Sequence, residues 1–274
     1  MNSVAFGQYC EGKSFLHKMD PRWKLILAIF YIVVIFLCKN VFSFVLMAVS
    51  AVFLVLLSEI NPKIILRSLK PLIMIICITA VINIFWLKGE TLLVSLGPVE
   101  IYMEGIINAV LIVVRVILLV AVTTLMLTYT TTPIALTDGL EQLLAPLAKI
   151  KIPVHEFSMM MTIALRFIPT LLEETEKIMN AQKARGADFS NGSLAKRAGA
   201  LVPILIPLFI SAFRRAEELA IAMECRCYTG GEGRTRMNVL HSSYRDFVAL
   251  AVMAVICAAV VLINMYAPGY SLSM

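Results

Sequence analysis

Five runs of apolar residues, each close in length to the thickness of a lipid bilayer, limit this chain to the folds that a membrane allows. The runs cover residues 23–38, 41–58, 71–87, 105–127 and 247–266. A spanning helix needs about 20 mostly apolar residues, and 60% of the 274 residues are hydrophobic. Because lipid offers the backbone no hydrogen bonds, such runs must be helical. The sequence therefore predicts an all-α integral membrane protein with about five transmembrane helices.

The basic residues predict which side of the membrane each segment occupies. Of the 24 Lys and Arg, 14 lie between residues 133 and 245, four before residue 25 and three between residues 59 and 70. Under the positive-inside rule these regions are cytoplasmic. Residues 87–104 carry more acidic than basic charge and are predicted to be an external loop. The net charge of +6 therefore indicates topology and contact with the lipid bilayer, and no nucleic acid is expected as a partner.

These patterns divide the chain into five parts. They are a cytoplasmic N-terminal segment (1–22), transmembrane helices one to four (23–130), a cytoplasmic or interfacial domain of long amphipathic helices (131–246), a last transmembrane helix (247–266) and a C-terminal tail (267–274). In the third part, Thr137-Asp138 is predicted to cap a helix. Two longer helices are predicted, from Pro153 to about Arg185 and from about Leu194 to Arg226. An alternative is that both also cross the membrane, which would make seven spans.

Both long helices are predicted to end in an arginine between small residues. The two endings are Ala184-Arg185-Gly186 and Cys225-Arg226-Cys227. The helix dipole alone favours a cation at such a position, so a single ending would carry little information. Two matching endings indicate a docking function, since small neighbours let a partner close around each guanidinium, which can bind a carboxylate through two hydrogen bonds.

No constellation of residues predicts catalysis. The chain has no phosphate-binding loop of the Gly-x-x-x-x-Gly-Lys-Ser/Thr type, so it is not expected to hydrolyse ATP or to be an enzyme. Cys225 and Cys227 have no second pair of ligands nearby, so no metal site is predicted. Arg115 falls at mid-depth in the fourth run. It is either functional, as intramembrane charges often are, or structural, binding the carbonyls of a neighbouring helix.

A secondary transporter or channel is the alternative class of function. It would need several polar groups meeting at mid-membrane, and only Arg115, Asn83 and Asn108 qualify. Uptake of solute by the chain alone in liposomes would favour this alternative. A coupling role instead requires partners that supply energy from outside the chain.

Four stretches of the sequence resemble the transmembrane T component (EcfT/CbiQ family) of energy-coupling factor transporters. AQKARGAD at 181–188 and AMECRCY at 222–228 are similar to its paired Ala-Arg-Gly motifs, ALRFIPTLLEE at 164–174 to its coupling region, and SFLHKMDPRWKL at 14–25 to its N-terminal signature. The second motif differs, since Cys225 and Cys227 stand where the family usually has Ala and Gly. This difference leaves open whether the backbone around Arg226 has the family's conformation.

The resemblance implies a role in an ABC-type importer of vitamins or transition-metal ions in a bacterial or archaeal plasma membrane. Two cytoplasmic ATPase subunits, which bind ATP-Mg, would dock at Arg185 and Arg226, and the chain itself would bind no cofactor. The amphipathic coupling helices would contact a membrane-embedded, substrate-binding S component. The coupling contacts are predicted at Arg166, Pro169, Met159, Met179 and Met223, methionine being a side chain that repacks easily. Arg166 is predicted to pair with Glu173 or Glu174.

Overall fold

The computed structural model describes residues 9–12, 14–86, 91–96, 99–150, 153–187, 194–230 and 240–266. The helices are α1 (Pro21–Leu37), α2 (Val41–Ser58), α3 (Pro62–Leu69), α4 (Ile73–Trp86), α5 (Met103–Thr123), α6 (Pro133–Leu144), α7 (Val154–Ala184), α8 (Leu194–Glu224) and α9 (Tyr244–Tyr266). Short 3-10 turns cover Lys70–Leu72 and Ala145–Ile150, and a π-helical turn covers Thr124–Tyr129. Two antiparallel strands, β1 (Leu92–Leu96) and β2 (Val99–Tyr102), form a hairpin between α4 and α5.

Four helical stretches within the described residues are long and apolar enough to cross a membrane. They are α2, α3 joined to α4 (Pro62–Trp86), α5 with the π-helical turn (Met103–Tyr129), and α9. Neither α7 nor α8 is among them. The first predicted span corresponds to α1, whose 17 residues extend about 26 Å against a hydrocarbon core of about 30 Å. Helix α1 is one residue shorter than α2, the shortest of the four membrane-crossing stretches. The predicted all-α membrane fold class is confirmed.

The chain divides into two units, of which the first contains residues 1–143 and 239–274. Helices α1 and α2 each contact both α5 and α9, around a core of fully buried apolar side chains. The most deeply buried include Val34, Ile35, Met47, Leu125 and Val260. Together with Val122 of α5, these side chains come from all four helices and the π-helical turn, so that the core joins the two ends of the sequence.

Arg115 holds together the tip of the α1–α2 hairpin. One of its terminal nitrogens donates a hydrogen bond to the carbonyl of Cys38 at 3.1 Å. Its guanidinium carbon lies 5.7 Å from the ring centroid of Phe36 and 5.3 Å from that of Phe44, within the range of cation–π attraction. These contacts favour the structural role for this intramembrane charge, since Cys38 lies in the short connection after α1.

A network of buried polar groups joins the start of α1 to the π-helical turn and to the start of α9. Lys24 is 1% exposed and donates from Nζ to the carbonyl of Thr130 at 2.8 Å and to Oγ1 of Thr131 at 3.2 Å. Asp246 is fully buried and accepts hydrogen bonds from the backbone N–H of Asp20 at 3.2 Å and of Ser243 at 2.7 Å. The N-terminal signature therefore lies in a structural joint of the first unit.

The start of α6 differs from the prediction. Thr137 lies inside the helix, where its hydroxyl donates to the carbonyl of Pro133 at 3.0 Å, so it does not cap the helix. Thr132 caps the helix instead, because its Oγ1 accepts a hydrogen bond from the N–H of Ala135 at 3.3 Å. Proline at the first helical position needs no N–H partner. A Cβ on Gly139 would lie 3.1 Å from that of Pro21, so α6 and α1 approach closely.

The predicted external loop at 87–104 contains the β-hairpin. Within its described part, β1 pairs with β2, and α5 begins at Met103. Thr91 donates from its hydroxyl to a carboxylate oxygen of Glu104 at 2.8 Å. The loop prediction relied on Gly, Pro and acidic residues and overlooked the β-branched and apolar residues between them, which favour strands.

The second unit, residues 144–238, is dominated by α7 and α8, which are 31 residues each. The two helices contact each other. Glu174 of α7 accepts a hydrogen bond from a terminal nitrogen of Arg215 of α8 at 2.9 Å. The predicted pairing of Arg166 with Glu173 or Glu174 is wrong for Glu174. Two helical turns separate Arg166 from both carboxylates, whereas side chains on one helix meet at spacings of three or four residues.

Candidate functional site

The first candidate docking end, Ala184–Gly186, is a regular helix C-terminus. Gly186 has a φ of +88°, the left-handed conformation that glycine adopts without steric cost. Its N–H donates to the carbonyl of Lys183 at 2.9 Å, and the N–H of Ala187 donates to the carbonyl of Gln182 at 3.0 Å. These two bonds define a Schellman motif, so α7 ends at the predicted arginine, which is the C-cap residue, and Gly186 is the left-handed residue after it.

The second end, Cys225–Cys227, forms the same motif without a glycine. Cys227 has a φ of +54°, and its N–H donates to the carbonyl of Glu224 at 2.8 Å. The N–H of Tyr228 donates to the carbonyl of Met223 at 3.0 Å. The hydrogen-bond pattern is that of the first end, residue for residue. Cys227 therefore adopts at the second end the left-handed conformation that Gly186 has at the first.

Arg185 and Arg226 occupy equivalent places in the two motifs. Each is the residue immediately before the left-handed one, and each is exposed, as are its two immediate neighbours. A Cβ added at Gly186 would meet nothing within 4 Å. Within the described part of the chain, neither guanidinium forms a hydrogen bond or an ion pair. Both groups are thus available to a partner.

The ion pair between Glu174 and Arg215 lies at the same distance from both ends. Glu174 is 11 residues before Arg185, and Arg215 is 11 residues before Arg226. At about 1.5 Å per residue, each helix extends about 16 Å from this contact to its terminal arginine. This pair was not predicted from the sequence. The common spacing of 41 positions, between 174 and 215 and between 185 and 226, is a signal that could have indicated it.

The other predicted contact residues lie along the same two helices. Met159 and Met179 of α7 and Met223 of α8 are half-buried, whereas Arg166 and Pro169 are exposed. The coupling contacts assigned to them stay a prediction.

Replacing Cys227 by Gly is expected to stabilise the second helix end by about 1 kcal/mol, because a non-glycine residue in the left-handed region costs about 1–2 kcal/mol and glycine's greater freedom in the unfolded chain offsets part of the gain. The change can be measured as slower hydrogen exchange at the amides of residues 227 and 228, whose bonds close the motif. Gly186→Ala is the matched variant and should speed exchange at residues 186 and 187. Faster exchange in Cys227→Gly would contradict this account of the helix end.

Comparison with known proteins identifies the family. The family model described as CbiQ, cobalt transport protein, matches residues 12–239. A protein of Ruminiclostridium cellulolyticum is 50% identical over 264 residues, which are 96% of this chain and 98% of that protein. A Bacillus subtilis protein is 44% identical over 258 residues, 94% and 97% of the two chains. Both relatives are named energy-coupling factor transporter transmembrane protein EcfT.

The family match covers both helix ends and the joint at the start of α1. The relatives align over almost the whole length of the chain, and the fold is that of an all-α membrane protein. This chain belongs to the EcfT/CbiQ family, the transmembrane T components of energy-coupling factor transporters.

Proposed function

We propose that this chain is the non-catalytic coupling subunit of an energy-coupling factor importer. Two ATPase subunits dock at Arg185 and Arg226 on the cytoplasmic side, and their ATP-driven movement passes along α7 and α8 to a substrate-binding S component. The cargo is a vitamin or a transition-metal ion that the S component selects. The basic charge between residues 133 and 245 supports the cytoplasmic placement.

The observation that carries this proposal is the equivalence of the two helix ends. Each presents one exposed guanidinium on the same backbone motif, without a partner in the segments that the structure describes. Equal lengths of helix separate both from the ion pair between Glu174 and Arg215. A symmetrical pair of partners, such as two similar ATPase subunits, needs two such equivalent attachment points. A push on either end would act on the other helix through the contact between them.

Apolar side chains exposed on the two helices support contact with a membrane-embedded partner. On α7, Phe157 and Met160 are more than half exposed, at 51% and 59%. On α8, Phe209 and Phe213 are exposed and stack with ring centroids 6.5 Å apart. Exposed apolar surface of this kind marks protein or membrane contacts. The proposal assigns these faces to the S component and to the lipid around it.

Cysteine labelling of the complete transporter complex tests the docking sites. Cys225 and Cys227 are exposed and flank Arg226, so a water-soluble maleimide should label both in the isolated chain. Assembly with the two ATPase subunits should slow their labelling at least tenfold, because a docked subunit closes around the arginine. Glu217→Cys, exposed on the same helix nine residues before Arg226, is the control and should stay reactive. Unchanged labelling of Cys225 and Cys227 in a complex that retains both ATPases would refute docking at this end.

A further inference from the structure

An apolar cavity in the first unit has no role in the coupling mechanism. Its volume is about 290 Å³, near the lower limit of the 300–1,000 Å³ typical of small-molecule sites. It lies between α1, α2 and α9. Representative lining residues are Leu27 and Tyr31 of α1, Phe53 and Leu57 of α2, and Val252 and Ile256 of α9.

The walls of this cavity leave no polar group for a ligand. The two polar side chains that line it, Tyr31 and Ser50, bind each other and the backbone. The Tyr31 hydroxyl lies 3.0 Å from Oγ of Ser50 and 3.0 Å from the carbonyl of Met47, to which Ser50 also donates at 2.8 Å. Since burying a polar group without a partner is unfavourable, the occupant must be apolar over this part of its length.

The cavity lies towards one end of the helices. Most of its lining residues, among them Leu27 of α1, Leu57 of α2 and Ala249 of α9, lie towards the end where α1 and α9 begin and α2 ends. Tyr31 and Ile256 lie just past the middle of their helices. Because a chain buried there must continue towards water at that end, the groups just beyond the cavity decide which headgroup fits.

Trp23 and Arg245 occupy that boundary. On α1, Trp23 is four residues before Leu27 and so lies on the same helical face, one turn nearer the end. On α9, Arg245 is four residues before Ala249 and seven before Val252, which both line the cavity. Trp23 donates from Nε1 to Oγ of Ser242 at 3.0 Å. Tryptophan and arginine at this depth are typical of residues that contact lipid headgroups.

The charge of Arg245 is available to an anion. Its guanidinium carbon lies 5.6 Å from the ring centroid of its neighbour Tyr244, and it has no ion pair among the described residues. The neighbouring carboxylates are engaged elsewhere, since Asp20 binds Arg22 at 2.6 Å and Asp246 is buried on backbone N–H groups. A second cation, the exposed Lys18, lies in the turn whose residues Phe15, Leu16 and Met19 line the cavity.

We propose that this cavity binds an anionic phospholipid, with one acyl chain between α1, α2 and α9 and the phosphate at Arg245. An apolar cavity with a free cation at its rim matches the amphipathic structure of such a lipid. The site belongs to the membrane unit alone and is independent of docking at Arg185 and Arg226.

Fluorescence of Trp23 tests the proposal in the full-length chain. The chain has two tryptophans, so Trp86→Phe leaves Trp23 as the only reporter. The protein is reconstituted into phosphatidylcholine vesicles with equal fractions of either dibrominated phosphatidylglycerol or dibrominated phosphatidylcholine, whose bromines quench nearby tryptophan. We expect the anionic lipid to compete for the site about fivefold better, the effect typical of one basic residue near a membrane.

Two variants separate the headgroup from the acyl chain. Arg245→Gln should abolish the preference for phosphatidylglycerol, while Ala249→Leu, which fills the cavity, should reduce quenching by both lipids. Ala251→Leu adds the same atoms at an exposed position of α9 outside the lining and should behave as the parent protein. Equal quenching by the two lipids in the parent protein, or equal effects of the two leucine variants, would overturn the proposal. Absence of quenching by either lipid would also overturn it, because it would show that protein closes the cavity.

Discussion

Replacing both Arg185 and Arg226 by Ala is expected to release the ATPase subunits from the membrane subunit. Each arginine is exposed at a helix end and has no side-chain partner among the described residues, so the substitution should not disturb the fold of the chain. Removing one partner from a buried charge pair costs about 2–5 kcal/mol, and each factor of ten in affinity corresponds to about 1.4 kcal/mol. The double variant should therefore fail to co-purify with the ATPases, while each single variant weakens one attachment.

Matched variants show whether the position matters or only the charge. Lys177→Ala on α7 and Arg214→Ala on α8 remove exposed cations away from the ends and should leave the complex intact. Arg185→Lys and Arg226→Lys keep the charge but lose the planar group that forms two parallel hydrogen bonds, so they should give intermediate stability of the complex. An unchanged ratio of ATPase to membrane subunit in the double alanine variant would reject the docking role.

Asp246→Ala is expected to destabilise the membrane unit by about 3 kcal/mol or more. The carboxylate is fully buried and accepts hydrogen bonds from two backbone N–H groups, and a hydrogen bond to a charged group contributes about 1.5–3 kcal/mol. Its removal leaves both donors unpaired. The carboxylates of Asp246 and Asp20 both act on the charge of the buried Lys24 ammonium, and the substitution removes one of them.

The loss can be measured as a lower thermal unfolding midpoint of the purified protein in detergent. Lys24→Met should lower the midpoint as well, because the carbonyl of Thr130 loses its donor while the volume of the side chain is nearly conserved. Glu217→Ala, an exposed acidic residue of α8, is the control and should have little effect. A midpoint in Asp246→Ala equal to that of the control would contradict the proposed importance of this joint.

The features that could be predicted from the sequence are those that depend on neighbours along the chain. The end of α7 was located to within a residue because Gly186 follows a long amphipathic stripe and favours the left-handed conformation. The end of α8 was predicted in the same way, from the apolar stripe of that helix and from the position of Arg226. The shared Schellman motif could not be foreseen, since cysteine gives no sign that it will adopt a φ of +54° at Cys227.

The wrong predictions are of two kinds. Some concern contacts between residues that are distant in sequence, and others concern positions where two neighbouring residues could play the same structural role. Thr137 was assigned to a cap because threonine favours that position, but Pro133 can start the helix and Thr132 satisfies its first free N–H. The partner of Glu174 was sought on its own helix and lies on the next one, at Arg215. Strand pairing at 92–102 was missed because Gly, Pro and acidic residues were given more weight than the apolar and β-branched residues between them.

Hydropathy, charge and four short motifs were by themselves enough to determine the membrane fold class and the family, because both follow from local composition and from the order of residues. Only the tertiary structure decided that the two helix ends are equivalent and equally far from the contact of Glu174 with Arg215. It alone also showed that Lys24 and Asp246 belong to one joint and that Arg245 lies one helical turn before residues that line an apolar cavity. These arrangements depend on packing between helices, which local composition and the order of neighbouring residues do not determine.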